Sequence, residues 1–243
     1  MSVVARRVST AAFLFPCLLY AGMAQAADEA PSIEPQFLGN VRQVTDGFVK
    51  AGEGYFSPDG KTIIYQAQPV DYPFYQIYSQ ALDSGTPRRI STGRGRTTCS
   101  YFSPDGRRVI FASSHLDPKM SQTEEDARRQ DEEDAKSGRR RRYEWVFDPH
   151  TEIFEAAPDG SDLKQLTHTE GYDAEGAYSP DGKSIVFCSD RDGDPDLYVM
   201  DADGSNVRQL TNSPGYDGGP FVSPDGRWVI YRSDRKKEGY LQI

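Results

Sequence analysis

The chain has 243 residues, a formal charge of −9 and 12% aromatic residues, with tyrosine the commonest of them. That length suffices for one large domain. The acidic balance excludes a global basic footprint for nucleic acid, and the charged fraction of 27% is ordinary for a soluble protein.

Residues 1–26 read as a secretory signal peptide. Arg6 and Arg7 supply positive charge, Ala11 to Met23 is mostly apolar, and Ala24-Gln25-Ala26 offers small residues at a cleavage site. The competing reading is a membrane anchor, but the apolar run is short for a span of about 20 residues and holds Pro16. Cys17 follows Leu14-Phe15-Pro16 rather than the small residues of a lipid-attachment site, and the residues after Arg6-Arg7 do not continue a twin-arginine signal. The expectation is a periplasmic or secreted protein with no stable membrane insertion after cleavage. Residues 27–36 read as a flexible lead-in.

A six-residue phrase then recurs. It reads Tyr55-Phe56-Ser57-Pro58-Asp59-Gly60, Tyr101-Phe102-Ser103-Pro104-Asp105-Gly106, Ala177-Tyr178-Ser179-Pro180-Asp181-Gly182 and Phe221-Val222-Ser223-Pro224-Asp225-Gly226. Pro presets φ, Asp bonds to nearby backbone, and Gly takes positive φ without steric cost, so each copy is a turn. Each is followed by a basic residue and a β-branched run: Ile63-Ile64-Tyr65, Val109-Ile110-Phe111, Ile185-Val186-Phe187 and Val229-Ile230-Tyr231. Aromatic residues before the turn and β-branched ones after it predict a hairpin. The serines stand 46, 76 and 44 residues apart (57 to 103, 103 to 179, 179 to 223). A period in the forties with a hairpin per unit is the mark of a β-propeller blade.

Two further landmarks complete the unit. A third strand is expected at Gln76-Ile77-Tyr78, Glu152-Ile153-Phe154 and Asp196-Leu197-Tyr198. A fourth is expected at Arg88-Arg89-Ile90-Ser91, Leu163 to Thr167 and Val207 to Thr211, with an unattached copy at Val41 to Thr45. Thr45, Ser91, Thr167 and Thr211 each precede the next turn serine by 12 residues. The propeller is thus expected over 37–243, with blades near 51–92, 96–168, 172–212 and 216–243, the last incomplete. Residues 37–46 are expected to close a ring as an outer strand beside a third strand from the far end.

These residues resemble the TolB-like β-propeller repeat, a WD40-like unit carrying Ser-Pro-Asp-Gly in place of the WD dipeptide. The stretch Tyr178 to Thr211 is similar throughout, including Ser189-Asp190-Arg191 and Asp203-Gly204-Ser205-Asn206. The resemblance implies an all-β propeller of four-stranded blades, about four of them here, as part of a six- or seven-bladed ring. A closed four-bladed ring is the alternative. TolB itself has an α/β domain before its propeller, which this chain does not match. A similar propeller also precedes the hydrolase domain of prolyl-oligopeptidase-like enzymes, but the chain contains no Gly-x-Ser-x-Gly elbow.

The second unit carries a charged insertion at 116–149. Its acidic run Glu124 to Asp134 is followed by Arg139-Arg140-Arg141-Arg142, Tyr143 and Trp145. A helix there is expected to be solvated on every side, or the segment mobile. Blade topology puts this loop over the same mouth as the connections between blades, the default binding surface of a rigid scaffold. The candidate partner-binding residues are therefore Arg94, Arg96, Arg139, Arg140, Arg141, Arg142, Tyr172, Asp173, Tyr216 and Asp217.

His115, His150 and His168 share no ligand spacing, and Asp190 to Asp196 alternates acids like a calcium loop but lacks its closing Glu, so a turn held by Asx bonds is expected rather than a metal. Cys99 and Cys188 read as buried small hydrophobes, with a disulfide as the minor alternative. No nucleophile–base set emerges, because the recurring Ser and Asp serve the turns; no catalytic residue and no cofactor is expected. Two functions stand: a non-catalytic scaffold for a protein or peptide partner in the cell envelope, or the propeller portion of a secreted hydrolase whose catalytic domain is not in this sequence.

Overall fold

A computed structural model describes residues 36–83, 85–141 and 145–243. The expected signal peptide and nearly all of the lead-in lie outside the described residues. Three sheets have four antiparallel strands each. The first comprises β1 (Phe48–Phe56), β2 (Thr62–Pro69), β3 (Gln76–Ala81) and β4 (Arg88–Arg89). The second comprises β5 (Thr97–Phe102), β6 (Val109–Ser113), β7 (Glu152–Ala156) and β8 (Lys164–Gln165). The third comprises β9 (Asp173–Tyr178), β10 (Ser184–Ser189), β11 (Asp196–Asp201) and β12 (Arg208–Gln209). The fourth pairs β13 (Asp217–Val222) with β14 (Val229–Ser233) and adds one bridge, Ser233 to Gln242.

Each Ser-Pro-Asp-Gly turn joins the first two strands of its sheet with the same bonds. The hydroxyls of Ser57, Ser103, Ser179 and Ser223 donate to the carboxylates of Asp59, Asp105, Asp181 and Asp225 at 2.6 to 2.7 Å. The same hydroxyl oxygens accept the N–H of Thr62, Arg108, Ser184 and Trp228 at 2.9 to 3.0 Å. The serine hydroxyl, then the backbone N–H two residues past each Asp, holds these carboxyls below their usual range. The turn glycines sit at φ from +67° to +71°, where a Cβ costs about 1–2 kcal/mol.

Strand periodicity then stacks the sheets. Along β6, Val109 and Phe111 face the first sheet and pack with Ile64, Ile77 and Ile90. Their neighbour Ile110 faces the third sheet with Ile153, Leu166, Ile185 and Phe187. Along β10, Val186 turns the other way, toward Val222 and Val229 of the fourth sheet. A sheet buried on both faces reads as the continuous apolar run seen in β6 and β10. Burying each such side chain stabilises by about 1.5–3 kcal/mol. On β14 the position equivalent to Ile110 and Val186 is Ile230, and it is 51% exposed. The first and fourth sheets approach through the Tyr55 and Phe221 rings, 5.8 Å apart, and share no strand pairing.

The outer strands are shorter than their sequences suggest, two residues each. Beyond them a side chain takes over from the ladder. Ser91, Thr167 and Thr211 accept the N–H of Ile77, Ile153 and Leu197 at 2.9 to 3.0 Å. Ser91 donates in turn to Gln76 and Thr211 to Asp196. That accounts for a hydroxyl residue at the constant offset. The closing strand expected over 37–46 is not formed, since residues 41–46 carry no strand. Such a strand needs a third strand beside it, and the fourth sheet offers only the Ser233–Gln242 bridge.

The insertion also departs from expectation. It contains α1 (Met120–Ser137), ended by Gly138 at φ +67°. Its first turns are anchored rather than solvated all round. Met120 is fully buried, Glu124 accepts the Tyr72 hydroxyl at 2.6 Å, and Arg94 donates to Ser121 at 2.9 Å. No helix among the described residues is long and apolar enough to cross a membrane.

Candidate functional site

The first strands β1, β5, β9 and β13 converge, and their side chains form tiers that the repeat makes comparable. Seven residues before the turn serine stand Lys50, Arg96, Tyr172 and Tyr216. Four before it stand Glu53, Cys99, Glu175 and Gly219, and two before it Tyr55, Tyr101, Ala177 and Phe221. Every residue of the middle tier has positive φ, from +47° to +59°. Each also lies at a register break between its strand and the next. A bulge at this point re-aims the side chain out of the alternation. For a residue with a Cβ that geometry costs about 1–2 kcal/mol.

Glu175 is the hub of this tier. Its carboxylate is almost fully buried and accepts the Tyr216 hydroxyl at 2.7 Å, the Tyr172 hydroxyl at 3.3 Å and the Gly219 N–H. The Arg232 guanidinium lies 3.4 Å away. Burial, reinforced by the Glu175 charge, pushes the Tyr216 phenol far above its usual range. Burial likewise drives the Cys99 thiol up, away from the reactive thiolate. Glu53 is exposed as a residue, but its carboxyl lines the axial cavity, where desolvation raises its pKa. That cavity measures 440 Å³. The rings of Tyr55, Tyr101 and Phe221, 5.2 to 5.9 Å apart, lie in its wall.

On the mouth side lies a second cleft of 340 Å³. Lys50 and Arg96 reach it from the upper tier, Phe74 and Tyr75 from the β2–β3 loop, and Arg141 and Trp145 from the insertion. The Arg96 guanidinium stacks over Phe74 at 4.0 Å and pairs with Asp148 at 3.8 Å. Lys50 sits 4.7 Å over Tyr75. The indole N–H of Trp145 donates to the Tyr172 hydroxyl at 3.0 Å, and the Phe147 ring stands against Tyr172 at 4.9 Å. The insertion is therefore a wall of this cleft.

The structure sorts the sequence candidates. Arg96, Arg141 and Tyr172 meet in the cleft, and Tyr216 belongs to the axial hub. Arg94 is tied to α1 through Glu124 and Ser121. Arg139 and Arg140 are exposed and outside the cleft lining; Arg142 and Tyr143 lie outside the described residues. Asp173 and Asp217 lie outside the lining of both the cleft and the axial cavity. Both are buried and consumed by Arg191 at 2.9 Å and Arg235 at 2.6 Å, the arginines of the two Ser-Asp-Arg triplets. His115 bonds Ser113 and stacks on Phe154, His150 neighbours Asp117, and His168 is exposed, so the three do not converge. Cys99 and Cys188 are buried free thiols. The carboxylates of Asp192, Asp194 and Asp196 come within 4.8 Å of one another. Donors of the fold already serve them: Gln209, the Gly215 N–H at 2.9 Å and Thr211 at 2.8 Å.

Comparison with known proteins follows the same repeat. Residues 147–243 match the family described as the TolB beta propeller domain. Over those residues the chain is a TolB-like β-propeller. One relative of this propeller is the Tol-Pal system protein TolB of Bordetella pertussis, 44% identical over 43 residues, which are 18% of this chain and 10% of that protein. A solved structure of a putative TolB from Agrobacterium tumefaciens superposes with a TM-score of 0.57 at 25% identity, covering 78% of this chain and 56% of the other. A puromycin hydrolase structure superposes at 0.55 with 14% identity over 79% of this chain and 26% of its own, a likeness of fold alone. The matches of this chain thus span about a tenth of the curated relative and little more than half of the Agrobacterium chain.

Sequence reasoning missed Glu53, Glu175 and Arg232, and the part played by Trp145. The signal was present: at four residues before each turn serine, three of the four blades hold a residue with a side chain where the backbone favours glycine.

Proposed function

We propose that this protein is an exported, non-catalytic scaffold that holds a protein or peptide partner of the cell envelope across the mouth face of its propeller. One observation carries the reading. The insertion, which the other blades lack, folds back to build one wall of a cleft whose remaining walls come from the first, second and third blades. A solvated ornament has no need of the anchors at Met120 and Glu124 or of the Trp145–Tyr172 bond. The serines of the repeat are committed to their turns and the Cys99 thiol is held protonated, so the residues available here support binding rather than group transfer. Export and the envelope location draw on the leader sequence and on likeness to a Tol-Pal system protein.

The test is capture of envelope proteins by the mature chain, with and without residues 116–149 replaced by a two-residue turn. The reading expects captured proteins that disappear with the insertion while the thermal transition of the propeller is retained. An unchanged captured set would overturn it.

A further inference from the structure

Resting on that scaffold reading, we propose that the mouth cleft recognises an acidic segment of its partner, an Asp or Glu carboxylate next to an apolar side chain. Three cations, Lys50, Arg96 and Arg141, line the cleft, and no carboxylate is among its lining residues within the described part of the chain. The cluster stands in a chain of formal charge −9, and Asp134 beside Arg141 and Asp148 beside Arg96 hold the two guanidiniums from outside the cleft lining. The cations come from three separate segments: β1, the turn before β5, and the loop after α1.

Two of the cations are held in place before any ligand arrives. Arg96 lies over Phe74 and Lys50 over Tyr75, at 4.0 and 4.7 Å, contacts that fix long side chains which otherwise lose rotamer entropy on binding. Burial dominates at Arg96 and lowers its pKa. A partly desolvated guanidinium gains more from a carboxylate than a solvated one, and its planar fork suits a two-oxygen ligand. Asp148 at 3.8 Å sets the guanidinium's orientation from outside the cleft lining. The remaining lining sets Gln68, Thr97, Thr98 and Thr151 beside the apolar and aromatic walls of Pro73, Val146, Trp145 and Tyr172. Such walls suit the side chain beside the acid, and the small volume of 340 Å³ suits a short stretch of peptide. Charge complementarity of this kind sets specificity and encounter rate.

The experiment uses the mature chain carrying Trp228→Phe, which leaves Trp145 as the sole tryptophan reporter. Three capped peptides are titrated: Gly-Glu-Phe-Glu-Gly, its Gln isostere and its Lys counterpart. The acidic peptide is expected to bind about tenfold or more tighter than the Gln isostere, about 1.4 kcal/mol, and to weaken as salt rises from 50 to 300 mM. Arg96→Gln is expected to abolish the difference, and Lys50→Gln to reduce it, both with an unchanged melting transition. Equal binding of the Glu and Gln peptides, no binding of any of the three up to 5 mM, or displacement by inorganic phosphate at lower concentration than by the acidic peptide would each overturn the proposal. If capture of envelope proteins still depends on the insertion while the peptides bind equally, the acidic specificity falls and the scaffold stands.

Discussion

The Tyr216 hydroxyl lies 2.7 Å from Glu175 Oε2 and joins the fourth blade to the third at the point where the strands converge. Glu175 sits in a bulge at φ +58°, and the bonds it accepts offset the strain of that backbone. Glu175→Ala leaves the Tyr216 hydroxyl, the Gly219 N–H and the Arg232 charge without their acceptor. It is expected to cost about 3 kcal/mol, read as the shift of a urea unfolding midpoint. Tyr216→Phe removes one of these bonds and is expected to cost about 1–1.5 kcal/mol. A Glu175→Ala midpoint equal to that of the parent would contradict the hub.

Asp173 and Arg191 form the corresponding tie at the head of the third blade, with Arg191 also stacked over Tyr198 at 4.8 Å. The second blade keeps the place but not the charges: Thr97 and His115 stand where Asp173 and Arg191 do. Asp173→Asn is therefore expected to destabilise by about 3 kcal/mol, since it strands a largely buried guanidinium. Thr97→Ala is expected to cost about 1 kcal/mol for its bond to the Tyr75 carbonyl. Thermal melts of the two variants side by side check the contrast.

Ser100 is a local inconsistency in the repeat. Its hydroxyl is buried without a hydrogen-bond partner, and the equivalent residues of the first and third blades are Gly54 and Gly176. Ser100→Ala keeps the Cβ and removes the unpaired group. It is expected to stabilise by about 1 kcal/mol, seen as a rise in Tm; a fall would show that the hydroxyl has a partner in solution.

Glu152 gives the fold a pH dependence. Burial, reinforced by the nearby Asp173 charge, lifts its carboxyl from the ordinary 4.5 to about 7, and one of its oxygens has no hydrogen-bond partner. Between those values the folded chain binds more protons here than the unfolded one, so this residue's contribution declines as pH rises from 4.5 to 7 and is constant above. Glu152→Gln removes the decline. The variant is expected to gain about 1 kcal/mol on the parent at pH 8, after allowance for solvent screening, and to match it at pH 4. Melting curves at the two pH values decide this.

Much of the fold was legible because Ser57, Ser103, Ser179 and Ser223 advertise a local device. A turn needs only residues close in sequence, and repetition in register then compels the sheets to stack. The tiers were legible only in part. Tyr172 and Tyr216 stood out as aromatic residues in connections, but Glu175 gains its meaning from residues 41 and 57 positions away, Tyr216 and Arg232, which sequence spacing does not reveal. The partners of Asp173 and Asp217 were hidden too. An acid in a surface-like connection looked available, whereas its arginine stands two residues past the end of the next strand of the same blade. The α1 helix was legible by composition, but its docking rests on Tyr72 and Arg94, from the first blade and the connection that follows it.

The central claim is that the partner lies on the mouth face, against the insertion. A photo-crosslinking residue at Val146, half exposed in the cleft, and another at Lys61, beside a Ser-Pro-Asp-Gly turn, test it directly. The account predicts a covalent adduct with an envelope protein from position 146 and none from position 61. An adduct from 61 with 146 silent would contradict it.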